Sequence, residues 1–139
     1  MSLTFTARIE ESGLAALDFK LKGLSQRKIM QEIAIVTREH QQGILKAVQT
    51  YPAPPPNSTY IRTGDLHAGQ NASPVEISGS RVTAEVFSAG PQYDKFVLDE
   101  AAQAAIHRGR WKTYQAIAGE RIPAYINAVQ ALIGRLLGR

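Results

Sequence analysis

Two stretches of this 139-residue chain combine side-chain types suited to recognising other molecules. The first is Tyr60-Ile61-Arg62-Thr63-Gly64-Asp65-Leu66. Gly64 allows a left-handed backbone, Thr63 and Asp65 can hydrogen-bond nearby backbone groups, and Arg62 offers a fork of donors to a carboxylate. These residues make either a structured turn or a contact loop that reaches a neighbouring subunit. The second is His107-Arg108-Gly109-Arg110-Trp111-Lys112. Arg and Trp are enriched at the energetic centres of protein interfaces, and Arg also binds phosphates. Three readings stay open: a solvated basic turn with Trp in the core, a protein interface, or a nucleic-acid contact.

The other reactive side chains form no such set. His40, His67 and His107 are far apart, and none belongs to a metal-binding spacing such as H-E-x-x-H. His40 falls on an apolar helical stripe and reads as a packed histidine. No phosphate-cradling glycine loop and no G-x-S-x-G elbow occurs. The adjacent acids Glu10-Glu11 and Asp99-Glu100 read as solvated charges. The chain contains no Cys, which excludes a disulfide scaffold, a thiolate metal site and a thiol nucleophile. The expectation is a non-enzymatic protein with no catalytic, cofactor-binding or metal-ligating residues.

The formal charge of +4 is unevenly spread. Residues 1–106 carry 10 basic and 11 acidic side chains, whereas residues 107–139 carry six basic and one acidic. A balanced body with a basic final quarter argues against a surface coated for non-specific DNA packing, and leaves room for a local basic patch. Met1 to Ile9 lacks the pattern of a signal peptide, and Ile122 to Leu137 is interrupted by Asn127, Gln130 and Arg135. A soluble protein without membrane association is expected.

The elements that must position the two stretches follow from periodicity. Leu3, Phe5, Ala7 and Ile9 alternate with polar residues and predict a half-buried strand. Residues 12–23 read as a turn or short helix. Ser25 is a candidate N-cap for a long helix over Gln26 to Gln49, with Ile29, Ile33, Val36, His40, Ile44, Ala47 and Tyr51 on one stripe. At 1.5 Å per residue it is ~36 Å long, against a radius of gyration of ~14 Å for a compact chain of this length, so it spans the domain. Pro52, Pro54, Pro55 and Pro56 end it, and the run reads as a stiff connector rather than an SH3-type ligand. Val75 to Ser78, a Gly79-Ser80 turn and Arg81 to Val86 predict a β-hairpin. Gly90-Pro91 marks a break, and the alanines of 101–105 favour helix. Thr113 to Ala118 reads as a short helix ended by Gly119, with Pro123 in the first turn of a final helix. The expected fold is α+β in one domain spanning 1–139: N-terminal strand, long scaffold helix, β-hairpin sheet, and a C-terminal helix packed on one sheet face.

The string Tyr51-Pro52 … Pro54-Pro55-Pro56-Asn57-Ser58-Thr59-Tyr60-x-Arg62-Thr63-Gly64-x-Leu66 resembles the Pro-rich loop and R-T-G-x-L signature of tail-completion (head–tail joining, minor tail component) proteins of long-tailed phages and prophages. Tyr93-x-x-Phe96-Val97, followed by Gln103-Ala104-x-Ile106-His107-x-Gly109-Arg110-Trp111-Lys112-Thr113, is similar to the second half of the same family. The order of elements agrees, and the resemblance runs from about residue 25 to the end. It implies a structural virion protein, made in the host cytoplasm, that forms a ring at the top of the tail. A homo-oligomeric ring, most often a hexamer, would meet the head-side connector or stopper and the tail tube or tail terminator. Genomic DNA would pass through its lumen. The positions that carry over are Arg62, Thr63, Gly64 and Leu66 in the turn, and His107, Gly109, Arg110 and Trp111 in the basic loop.

Pairing strands across subunits would satisfy the edges of an otherwise marginal hairpin. The alternative is a small nucleic-acid-binding module that uses Arg108, Arg110 and Lys112, with affinity that falls steeply with salt. A small hydrolase is a third and weaker option.

Overall fold

A computed structural model describes residues 2–8, 23, 25–53, 64–91, 93 and 95–138. Strand β1 (Ser2–Arg8) is followed by helix α1 (Gln26–Val48), the short helix α2 (Asp65–Gly69), strands β2 (Gln70–Ala72), β3 (Glu76–Ser78) and β4 (Arg81–Ser88), a four-residue helix α3 (Lys95–Leu98), a 3-10 turn (Ala105–His107) and helix α4 (Tyr114–Leu136). This is the expected α+β fold, with β2 and α2 added. The expectations for 9–22 and for 54–63, Arg62 and Thr63 included, lie outside the described residues.

β4 is the centre of the sheet. β1 pairs with it on one side, and β2 and β3 follow each other along its other side, all antiparallel to it. Phe5 stands opposite Ala84 and Ala7 opposite Val82, so the alternating apolar residues of both strands share one face. Ile77 stands opposite Val82 across the two-residue Gly79-Ser80 turn. The helices lie on that face, with α1 over β4, β2 and β3 and with α4 over β1. Two buried clusters result. One gathers Phe5, Ile44, Val48, Val86, Tyr114 and Tyr125 towards the α1 C-terminus; the other gathers Ile29, Met30, Ile33, Val82 and Leu132 towards its N-terminus. Each such side chain, fully buried, contributes roughly 1.5–3 kcal/mol.

Ser25 caps α1 as expected, its hydroxyl accepting from the Lys28 N–H at 3.1 Å. The buried face of α1, however, is turned by one residue. Thr37 and Gln41 are buried where Val36 and His40 were expected, and those two are half-buried. Both polar residues are hydrogen-bonded. The Thr37 hydroxyl donates to the Ile33 carbonyl at 2.8 Å and meets the Tyr125 hydroxyl of α4 at 2.8 Å. Gln41 Nε2 donates to the carbonyls of Ser73 and Glu85 at 2.7 and 3.0 Å. One side chain thus ties α1 to the C-terminal helix, and the other ties it to the break between β2 and β3. Burial pushes the Tyr125 phenol pKa up, and the bond to Thr37 opposes this in part.

The C-terminal half corrects three expectations. Residues 113–137 form one helix rather than two: Thr113 is its N-cap, accepting from the Ala116 N–H, and Pro123 lies in its interior. Pro123 lacks the N–H that would bond Gly119, yet Tyr114, Ile117, Tyr125 and Leu132 anchor both halves in the core. Ala101, Ala102 and Ala104 are not helical and only Ala105 enters the 3-10 turn, because Asp99 caps a turn here: its carboxylate accepts from the Ala101 N–H and from Gln115 Nε2, both at 3.1 Å. Ile77, assigned to the hairpin's apolar side, is 48 % exposed. Gly69 must be glycine, since a Cβ there would stand 1.9 Å from the Gly90 carbonyl oxygen.

Candidate functional site

Among the described residues, His67, which directly follows the first stretch, and Trp111 of the second both reach one end of the fold. The meeting point is Tyr51, just past the α1 C-terminus. Its ring lies 5.0 Å from that of Trp111, tilted by 37°, and 6.3 Å from that of His67, edge to face. His107 closes the row, edge to face with Trp111 at 5.9 Å. The order His67–Tyr51–Trp111–His107 therefore links helix α2, which follows Gly64, to the basic loop. The Tyr51 hydroxyl donates to Gln70 Oε1 at the start of β2. Gln70 is 2 % exposed, and its Nε2 has no hydrogen-bond partner among the described residues.

The basic loop is built to hold its shape. The N–H groups of Arg110 and Trp111 both donate to the His107 carbonyl, at 3.1 and 3.0 Å. Gly109 supplies the left-handed residue of this turn at φ +75°. Buried Gln103 pins the loop from below, donating to the carbonyls of Val97 and Trp111 at 2.7 and 3.1 Å. Arg110 reaches across to the Ala53 carbonyl at 3.2 Å, and Arg108 donates through Nε to the Gln103 carbonyl at 3.3 Å. Lys112 pairs with both carboxylate oxygens of Glu120 at 3.0 Å. Arg108, Gly109, Arg110 and Lys112 are exposed, while Trp111 and His107 are half-buried. Burial first, and the neighbouring Arg110 charge second, hold the His107 pKa below its usual value. Its Nδ1 is buried and has no partner among the described residues.

In the first stretch, Gly64 is exposed and left-handed at the start of α2, which Asp65 opens, whereas Leu66 is a core residue, 8 % exposed. Leu66 is thus removed from the contact surface of the single chain, because it packs with Val48 and Val97 in the cluster beneath Tyr51. His67 and Tyr51 complete the surface and buried Gln103 supports it; none of the three is in the candidate set. Tyr51 and Gln103 each open one of the quoted stretches of the resemblance, but no local chemistry marks either as a contact residue. His40 packs against Tyr125 at 5.5 Å, far from this end. Among the described residues no three His, Asp or Glu side chains are placed to share a metal ion. The arrangement is an aromatic row flanked by two exposed, backbone-tethered guanidinium groups. It suits planar stacking together with recognition of carboxylate or phosphate.

No protein-family model, curated protein or solved structure matches this chain.

Proposed function

We propose that this chain is a structural component of a long-tailed phage or prophage particle, a ring at the head–tail junction that joins the tail tube to the head-side connector and leaves a lumen for DNA. The observation that supports it best is the convergence at Tyr51. The two strings that carry the resemblance reach one surface, and the tethers to Ala53, Gln103 and Glu120 hold that surface rigid. Rigidity suits docking between preformed parts, since little side-chain freedom is left to lose on contact. In this reading His107 to Lys112 and the turn at Gly64 face a neighbouring ring, either the connector or stopper or the tail terminator. The subunits form a closed homo-oligomer, a hexamer being the expected size.

The test is genetic. Particles assembled without this chain accumulate filled heads and finished tails that do not join. A chain carrying Arg108→Glu and Arg110→Glu folds, because both residues are exposed, but fails to restore joining. Full restoration by that variant, or normal joining without the chain, contradicts the proposal.

A further inference from the structure

Four side chains of the basic loop can carry positive charge, and two of them are left to meet an anion from outside. Lys112 spends its charge on Glu120. His107 is half-buried, and its surroundings favour the neutral ring. Arg108 and Arg110 are exposed, and neither meets a carboxylate among the described residues. Their tethers leave most of their donors unspent, since a guanidinium carries five N–H groups. Arg108 gives its Nε to the Gln103 carbonyl, which leaves the terminal fork of Nη1 and Nη2. Arg110 gives Nη2 to the Ala53 carbonyl, which leaves Nε and Nη1. Between the two stands Gly109, with open space where a Cβ would be. A ligand can therefore lie on the loop backbone and reach both arginines. Beside them the half-buried ring of Trp111 offers apolar surface that continues to Tyr51.

A guanidinium fork fits a carboxylate and a phosphate alike, so the surroundings decide between them. Gln115, in the first turn of α4, accepts from the Glu100 N–H and donates to the Asp99 carboxylate, both at 3.1 Å. Asp99, Glu100 and Glu120 thus hold acidic side chains close to the loop. The other described basic residues of the final quarter lie elsewhere: Arg121 is against Gly43 of α1, and Arg135 is on the last turn of α4. A nucleic acid carries a charge at every phosphate, and firm binding neutralises ~6–10 of them. Here a strand would meet two unpaired guanidinium groups and then carboxylates. A short protein segment with two carboxylates asks for two cations only, and its apolar part has Trp111 to cover.

We propose that this loop grips a carboxylate-bearing segment of a partner protein: one carboxylate on the open fork of Arg108, a second on Arg110, the segment's backbone across Gly109 and an apolar side chain against Trp111. The tethers to Gln103 and Ala53 hold both stems in place before contact, so little side-chain freedom is lost on binding. Arg and Trp are also the side chains on which interface energy concentrates. This inference rests on the docking reading above and names the chemistry of what docks.

Trp111 is the chain's single tryptophan, so its emission reports this site alone. The full chain is titrated with the blocked peptide Gly-Glu-Phe-Glu-Gly, with its twin Gly-Gln-Phe-Gln-Gly, and with a short single-stranded DNA. The glutamate peptide changes the emission saturably, and the glutamine twin binds about tenfold more weakly. Arg108→Lys and Arg110→Lys keep the charge but lose the planar fork, and each weakens the glutamate peptide about tenfold. Both positions are exposed, so the circular dichroism of these variants matches the parent's. Arg135→Gln removes a charge at the far end of α4 and leaves the affinity unchanged. Equal binding of the two peptides, unchanged affinity in the lysine variants, or an equal loss in Arg135→Gln overturns the proposal. DNA that binds more tightly than the glutamate peptide, with an affinity that falls steeply with salt, also overturns it and assigns the loop to nucleic acid. Binding of the glutamate peptide by a chain without which heads and tails still join keeps this site and removes the junction reading. A chain that is needed for joining but ignores the glutamate peptide does the reverse.

Discussion

Thr37 and Gln41 are the side chains on which the helix packing depends, and both are polar. Each lies on the buried face of α1 and bonds to a different neighbouring element. Apolar periodicity locates the stripe but not its exact rotation, since a polar residue that finds partners in the core is invisible to a pattern built on hydrophobicity. Gln41→Leu removes the donor that serves the Ser73 and Glu85 carbonyls and lowers stability by about 2 kcal/mol. Tyr125→Phe, which leaves Thr37 its bond to Ile33, costs about 1 kcal/mol. Denaturant titration measures both. His107 gives a pH-dependent prediction. Its pKa in the fold lies below the ordinary 6.5, so the unfolded chain binds the proton more readily. Its contribution to stability is intact above about that pH and is lost as the pH falls from there through the folded-state pKa. The difference in stability between the parent and His107→Gln therefore changes over that mildly acid range and is flat above it. A difference that stays constant through the range contradicts the assignment.

At the scale of elements, β1, α1 and the β3–β4 hairpin were legible because each carries a clear period and a clear punctuation mark, Ser25 for the helix and Gly79-Ser80 for the turn. Gly119 and Pro123 are local stop signals that predict two helices at the C-terminus, but core anchoring on both sides of them outweighs the local cost. Pro123→Ala restores the missing N–H and is expected to stabilise the protein by about 1–3 kcal/mol, read as a raised Tm. Strand β2 was missed because three residues carry no period, and its place is set by non-local contact. There the chain passes so close to Gly90 that Gly69→Ala destabilises by about 2–4 kcal/mol. The candidate site was legible in part. Both stretches are visible as unusual local compositions, but the contacts of Tyr51 with His67 and Trp111, and the loss of Leu66 into the core, depend on tertiary packing that no local pattern encodes.

Across the whole molecule, the basic final quarter does not form one surface. Arg108 and Arg110 sit at the end that carries Tyr51, whereas Arg135 lies on the last turn of α4, ~32 Å along the helix from its start at Tyr114. Lys112 is neutralised by Glu120. With Arg121 midway along α4, beside Gly43 of α1, the excess charge is spread along the molecule rather than gathered in one patch. Charge reversal at Arg108 and Arg110 is expected to abolish head–tail joining, read as an accumulation of separate filled heads and finished tails. The proposed junction ring is put to the sharpest test by an image reconstruction of a particle that encodes this chain. It predicts closed-ring density, fitted by this fold, between the head-side connector and the tail tube, with DNA-sized space on its axis. A complete junction with no density for this fold contradicts it.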